Sequence, residues 1–386
     1  MSPLSGRNGA RPRAAAALAL LSLTGALAAC GSSEDDSAKA DAAATATTGS
    51  APAKADKKKV KLAAELTLTG VKFAQDTKAG MDAFAKEDGA VDLETQGPPS
   101  IDPVTAQKQA SDMLATSPDG FGISPFPPEL WQRTIKTITA KIPNSIAYNI
   151  KPVGKVSDAA DSPLKTFVGV DDTESARQAL TKTIELAKLT PDATGEILLG
   201  QCVAGNTGVL YERIQGFKQV AAKLLPKAKV TVFDSKVEPQ ANTVTWTSEL
   251  AAHPKPLLAI GTCDQDSTSL YKVKKAKGYT FPAGALETPP EAIKGIEDGT
   301  ILASVAVNWY LEGYVAAKLL ADGARGTKPP EGFVDVGSTL ITKDNVAEIK
   351  QRDSSPAETA AWYAPKIKAF FGDLDANVHP LEDAWK

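Results

Sequence analysis

Three cysteines, two histidines and many carboxylates are the residues of this chain that could do chemistry. Cys30 closes the stretch Leu27-Ala28-Ala29-Cys30. A cationic start (Arg7, Arg11, Arg13) and an apolar run from Ala14 to Leu23 precede it. Positive, then apolar, then small is the order of a secretory signal peptide, expected over residues 1–29. The run is too short and too alanine-rich to hold a transmembrane helix. Cys30 is then either a bystander to cleavage nearby or the cleavage point itself. Cys202 and Cys263 lie far downstream, and an exported protein can keep such a pair oxidised. His253 and His379 are far apart and form no HExxH, and no cysteine–histidine cluster has zinc spacing. There is no Walker A sequence, no GxGxxG after a strand and no GxSxG elbow. The pattern therefore assigns no catalytic residue, no metal ligand and no cofactor. A net charge of −3 without a basic, aromatic-interleaved stripe excludes a nucleic-acid partner.

The elements that must position these residues begin late. Residues 30–57 are Ser, Ala, Thr, Lys, Asp and Gly with no large apolar side chain, which predicts a tether rather than a core. From Lys58 the pattern alternates short apolar runs with helical periodicity. Strands are expected near Val60–Leu66, Ala90–Glu94, Gly120–Ser124 and Ser145–Asn149. Amphipathic helices fall between them, one opened by Asp102 and one by Pro127-Pro128. The pattern restarts at Thr166–Val170 and runs on through strands ending at Cys202 and Cys263. A tail helix around Ala357 to Phe371 is expected to be interrupted near Pro365. Alternation of this kind implies two α/β units, each a parallel sheet covered on both faces, with a ligand cleft at the carboxyl ends of the strands.

Leu27-Ala28-Ala29-Cys30, followed by Gly31-Ser32-Ser33, resembles the lipobox of bacterial lipoproteins. The resemblance implies cleavage before Cys30 and diacylation of its sulfur, more than one acyl chain being needed for a lasting anchor. The body resembles the periplasmic sugar-binding proteins of the ribose/galactose-binding class, the substrate-binding components of ABC importers. The residues that carry this likeness are spread in order through the chain. They are Lys78-Ala79-Gly80, Gly120-Phe121-Gly122-Ile123-Ser124-Pro125, Ile142-Pro143, Phe167-Val168-Gly169-Val170-Asp171, Arg213-Ile214-Gln215-Gly216-Phe217, Ala292 to Thr300 and Leu340 to Asn345. The implied fold is α/β and periplasmic-binding-protein-like (type I), with two doubly wound parallel-sheet lobes joined by a three-segment hinge. Residues 58–150 with about 308–333 would form the N-terminal lobe. Residues 151–307 with about 334–386 would form the C-terminal lobe and tail.

The resemblance also implies a set of cleft residues. Phe73 falls where the family stacks an aromatic on a sugar ring, though Val71-Lys72 replaces the usual Asn-Pro; by type alone it would be core. Phe126 lies just past a strand, at the cleft edge or in a lobe contact. Tyr148 and Asn149 end a strand where the family places a polar ligand contact; an Asn there can instead be a turn former. Tyr211 stands where the family often has an arginine. Asp264 keeps the aspartate of the family's Asn-Asp pair, Cys263 standing in place of the Asn, with an N-cap as its plain alternative. Glu287 matches a further aspartate. Asn308 and Trp309 flank the last crossover, Trp309 either stacking on ligand or packing at the hinge. The fold would also set Cys202 and Cys263 at the ends of neighbouring strands, within disulfide reach, or leave them as two small buried thiols. The implied protein is a monomer held by lipid on the outer face of the cytoplasmic membrane. It captures a small polar ligand, a sugar or polyol, for an ABC transporter permease. Two alternatives remain: a sensor module of the same fold, or an exported carbohydrate hydrolase with Asp264 and Glu287 as its acid–base pair.

Overall fold

The computed structural model describes residues 57–205 and 208–385. The expected signal peptide, Cys30 and nearly all of the tether lie outside the described residues. In chain order the first elements are β1 (Val60–Glu65), α1 (Lys72–Asp88), β2 (Val91–Gln96), α2 (Pro103–Ala115), β3 (Gly120–Ile123), α3 (Pro128–Lys141), β4 (Ser145–Tyr148) and β5 (Thr166–Gly169). There follow α4 (Asp172–Leu186), β6 (Gly195–Gln201), α5 (Val209–Leu224), β7 (Ala228–Asp234), α6 (Pro239–Ala252), β8 (Leu258–Gly261), α7 (Asp264–Lys277), β9 (Gly284–Leu286) and α8 (Pro290–Asp298). The chain ends with β10 (Ala303–Val307), α9 (Trp309–Ala324), β11 (Gly332–Asp335), β12 (Ser338–Ile341), α10 (Val346–Arg352), α11 (Pro356–Gly372) and β13 (Val378–His379).

Local chemistry sets many of these boundaries. Asp102 accepts from the backbone N–H groups of Val104 and Thr105, with Pro103 at the first helical position of α2. Asp171 caps α4 through the Glu174 N–H, and Ser355 caps α11 through the Glu358 N–H. Gly89 and Gly278 close α1 and α7 in the left-handed conformation that favours glycine.

The strands form a lobe on either side of the cleft. In the first lobe the sheet order is β13-β11-β5-β4-β3-β1-β2, parallel except for β13. The second lobe holds two three-stranded sheets, β7-β6-β8 and β12-β10-β9, joined by one parallel bridge between Ala259 and Ala283. β12 is antiparallel to β10. Helices cover both faces, as parallel strands buried on two sides require. Within the first lobe α1 and α9 cross at touching backbones. A Cβ on Gly80 would overlap the Tyr310 carbonyl, and one on Gly313 the Thr77 carbonyl. Met81, Phe84, Tyr314 and Val315 pack around that crossing.

Three expectations need correction. The strand at Thr166–Gly169 pairs with β4 and β11, so it belongs to the first sheet and not to a lobe beginning at residue 151. The chain passes to the second lobe only at Val170–Asp171, because α4 packs on α5, β9 and β10. It returns between Val307 and Trp309 and leaves again between Asp335 and Ser338. The tail is not an extension of the second lobe either. β13 adds to the first sheet through Phe333 and Val334, and Ala384 is buried with Phe167 and Phe333. Finally, α11 runs through Pro365 without a break. Pro365 and Ala361, whose carbonyl loses its donor, lie on the exposed side, where water can replace the missing bond.

Candidate functional site

Strand ends of both lobes deliver loops to one cleft, whose empty space of about 750 Å³ is open to solvent. It lies in the position the architecture reserves for ligands. From the first lobe, the loop after β1 supplies Thr67, Leu68, Val71 and Phe73. Ile101 follows β2, Phe126 follows β3, and Asn149 and Ile150 follow β4. From the second lobe, Cys202 and Val203 follow β6, and Val237 follows β7. The start of α5 adds Val209, Leu210 and Arg213. Cys263, Asp264 and Gln265 follow β8, Glu287 follows β9, and Trp309 opens α9.

An aromatic corner and an ion network organise the cavity. Phe73 and Trp309 have ring centroids 5.2 Å apart at 43°. The Trp309 indole N–H donates to Glu287 Oε2 at 2.7 Å. The other oxygen of Glu287 lies 3.0 Å from Arg213 Nη2. Arg213 also donates through Nε to Asp172 Oδ1 at 2.8 Å and through Nη1 to the Thr262 carbonyl at 2.9 Å. Lys151 Nζ lies 3.6 Å from Asp172 Oδ2 and bonds Glu212. These opposing charges are buried together, which is how a chain retains charge away from water. The backbone is left-handed at Asn149 (φ 61°) and Glu287 (φ 65°), both at strand ends facing the cavity. For a glutamate that conformation costs energy, and such strain collects at functional sites.

Burial raises the carboxyls around the cavity. Burial, reinforced by the charge of Glu287, pushes Asp264 up to about 7. Burial also raises Glu287, with Arg213 and the Trp309 N–H offsetting part of the rise. Glu312, in the first turn of α9, is fully buried with neither carboxyl oxygen hydrogen-bonded among the described residues. Desolvation holds its carboxyl well above the usual range.

Of the expected ligand residues, Phe73, Phe126, Asn149, Asp264, Glu287 and Trp309 line this cavity. Tyr148 does not: it is buried in the first-lobe core and its hydroxyl donates to the Glu65 carbonyl. Side chains alternate along a strand, so when Asn149 faces the cleft its neighbour faces the other way. Tyr211 does not reach the cavity, because Leu210 and Arg213 occupy the cleft-facing side of α5. Asn308 is a hinge staple. Its Nδ2 donates to the Val336 carbonyl at 3.0 Å and its Oδ1 accepts from Thr339 Oγ1 at 2.8 Å, tying two crossings together. Arg213, Leu210, Val71 and Gln265 were not anticipated as lining residues. Arg213 had a signal, a basic residue on the buried side of an amphipathic helix beside Ile214 and Phe217.

The structure joins Cys202 to Cys263 in a disulfide, with Cα atoms 6.3 Å apart, at the ends of the paired strands β6 and β8. Both cysteines line the cavity. The Asp266 carboxylate lies behind them, its Oδ2 3.1 Å from Cys202 Sγ. It accepts from Trp246 Nε1 at 2.8 Å, Asn242 Nδ2 at 2.9 Å and the Thr262 N–H at 2.8 Å.

A sequence model described as the periplasmic binding protein domain matches residues 66–328. No curated protein matches the chain. Solved structures do. A solute-binding protein of Burkholderia graminis, in complex with D-arabinose, is 21% identical with a TM-score of 0.66, covering 76% of this chain and 98% of its own. One from Agrobacterium vitis, bound with α-D-tagatopyranose, is 20% identical with a TM-score of 0.67, covering 78% and 98%. A glucose-galactose binding protein of Geobacillus stearothermophilus is 22% identical with a TM-score of 0.64, covering 75% and 99%. At these identities the likeness is one of fold.

Proposed function

This chain belongs to the periplasmic binding protein domain family, and we propose that it captures a small polar ligand, a sugar or polyol, between its lobes for an ABC transporter permease. The observation that carries this reading is the cavity between the lobes, framed by Phe73 and Trp309 and edged by Asp264 and Glu287. An aromatic corner covers the apolar face of a sugar ring, and carboxylates accept from its hydroxyls. The likeness in fold to proteins holding D-arabinose and α-D-tagatopyranose supports the same reading. No bond needs to be made or broken: closure of the lobes around the ligand is the output.

In this proposal residues 1–29 direct export. Cys30 carries the lipid that holds the protein, as a monomer, on the outer face of the cytoplasmic membrane, and residues 30–57 give it reach. Cys30→Ala should move the protein from the membrane fraction to the medium; retention of the variant in the membrane would remove the anchor from the proposal.

The test of ligand class is a thermal-shift screen of D-arabinose, D-tagatose, D-galactose and small polyols. A ligand at about a hundred times its Kd stabilises by about 2.7 kcal/mol, a rise of several degrees. Trp309→Ala and Phe73→Ala should each weaken that rise. No rise with any carbohydrate would overturn the sugar reading. Cleavage of a disaccharide of these sugars into its two monosaccharides on incubation with the protein would favour hydrolysis by Asp264 and Glu287 instead.

A further inference from the structure

We propose that the cleft selects an uncharged, partly deoxygenated ring: a deoxy sugar or a sparsely hydroxylated cyclic polyol in preference to its fully hydroxylated parent. This rests on the reading of the cavity as the ligand site, and it follows from which polar groups there are still free. The cavity's one cationic side chain among the described residues is Arg213, and three of its five N–H donors already have protein partners. Both oxygens of Glu287 are engaged, by Arg213 and Trp309. The Trp309 N–H is thereby engaged too, and the Thr67 hydroxyl bonds Ser124. Only the side chains of Asn149, Asp264 and Gln265 line the cavity without a hydrogen bond to another described residue. The remaining wall is hydrocarbon: Val71, Ile101, Ile150, Val209, Leu210 and Val237 face the space from both lobes.

A hexose hydroxyl that turns toward that wall meets no polar side chain among the described residues. A hydroxyl turned to the aliphatic wall loses its water and finds no partner, which weakens binding by roughly ten- to a hundredfold. Replacing that hydroxyl by hydrogen removes the penalty and adds apolar contact. The free acceptor at Asp264 suits the donors of the hydroxyls that remain. Among the described lining residues the one cation, Arg213, is already balanced by Asp172 and Glu287, so no unpaired positive charge awaits a ligand carboxylate or phosphate.

Calorimetry on the intact protein with two matched pairs tests this: D-galactose against D-fucose and L-mannose against L-rhamnose, each differing only in the C6 hydroxyl. D-galacturonate serves as the anionic probe and cis-1,2-cyclohexanediol as the minimal ring. In whichever pair binds, the deoxy member should bind about tenfold or more tighter, and D-galacturonate should give no heat of binding. Leu210→Asn, which places a polar partner on the wall, should shrink the preference toward unity. A parent sugar binding as tightly as its deoxy partner, or any binding of D-galacturonate, overturns the inference while leaving the capture of sugars intact. Binding of the diol without any of the sugars upholds the inference and overturns the sugar reading. Silence from every probe overturns both.

Discussion

Asp264 opens α7 at the rim of the cavity, where burial and the charge of Glu287 push its carboxyl up to about 7 from the ordinary 3.8. The native state therefore holds a proton that the unfolded chain releases above pH 4. For an acid raised in this way, the linkage makes folding most favourable below the unfolded pKa. Its contribution is lost as pH climbs from about 4 to about 7. Asp264→Asn should flatten the fall of Tm over that interval and leave the variant more stable than the parent at pH 8. An unchanged profile in a pH series of melts would show that the carboxyl is not perturbed in the fold. Legibility in the sequence was uneven at this scale. Phe73 and Trp309 could be placed through the family resemblance, residue type alone assigning Phe73 to the core and leaving Trp309 a hinge contact. Tyr148 and Asn308 could not be separated from their neighbours Asn149 and Trp309, because one step along the backbone turns a side chain from cavity to core. The network of Arg213, Asp172 and Glu287 joins residues far apart in the chain, and no local spacing announces it.

Among the elements, the pairing of β6 with β8 has the largest mechanical consequence. It brings Cys202 and Cys263 together at the cavity wall across 61 residues of chain. Closing a loop of that size stabilises by about 2–4 kcal/mol through the unfolded state. Cys202→Ala combined with Cys263→Ala should lose that amount in urea melts, and equal midpoints would show that the bond contributes nothing. Apolar runs and capping residues made most elements of the first half legible before any coordinates. The place of β5 was not legible, because a strand's sequence fixes its burial and not its neighbour. Its partner β11 lies beyond most of the second lobe in the chain. Pro365 misled for a related reason: whether a proline breaks a helix depends on whether the freed carbonyl meets water.

At the scale of the molecule, the tail binds the first lobe more tightly than the pattern suggested. β13 covers the edge of β11, and Trp385 packs against the first-lobe core around Phe167 and Phe333, with the Lys151 ammonium 5.8 Å from its ring centre. Trp385 also lines a small pocket together with Phe126, Ile150 and Val209. Deleting residues 373–386 should lower Tm by several degrees and open the β11 edge to proteolysis; a truncated protein as stable and as resistant as the parent would make the tail dispensable. The two-lobe plan itself was legible, because repeated strand–helix units admit few arrangements. The crossings were legible only in number, their exact residues being set by packing.

Those crossings also impose an order on synthesis. β5 is made early, yet the strand that completes its free edge begins at Gly332, and the strand that protects that one begins at Val378. Until Val378 and His379 have emerged, the first sheet keeps an open hydrogen-bonding edge. The growing chain cannot finish its first lobe and move on to its second. A polypeptide whose native pairing waits for so late a strand stays available to whatever handles unfolded chains, and commits to its fold only as a whole.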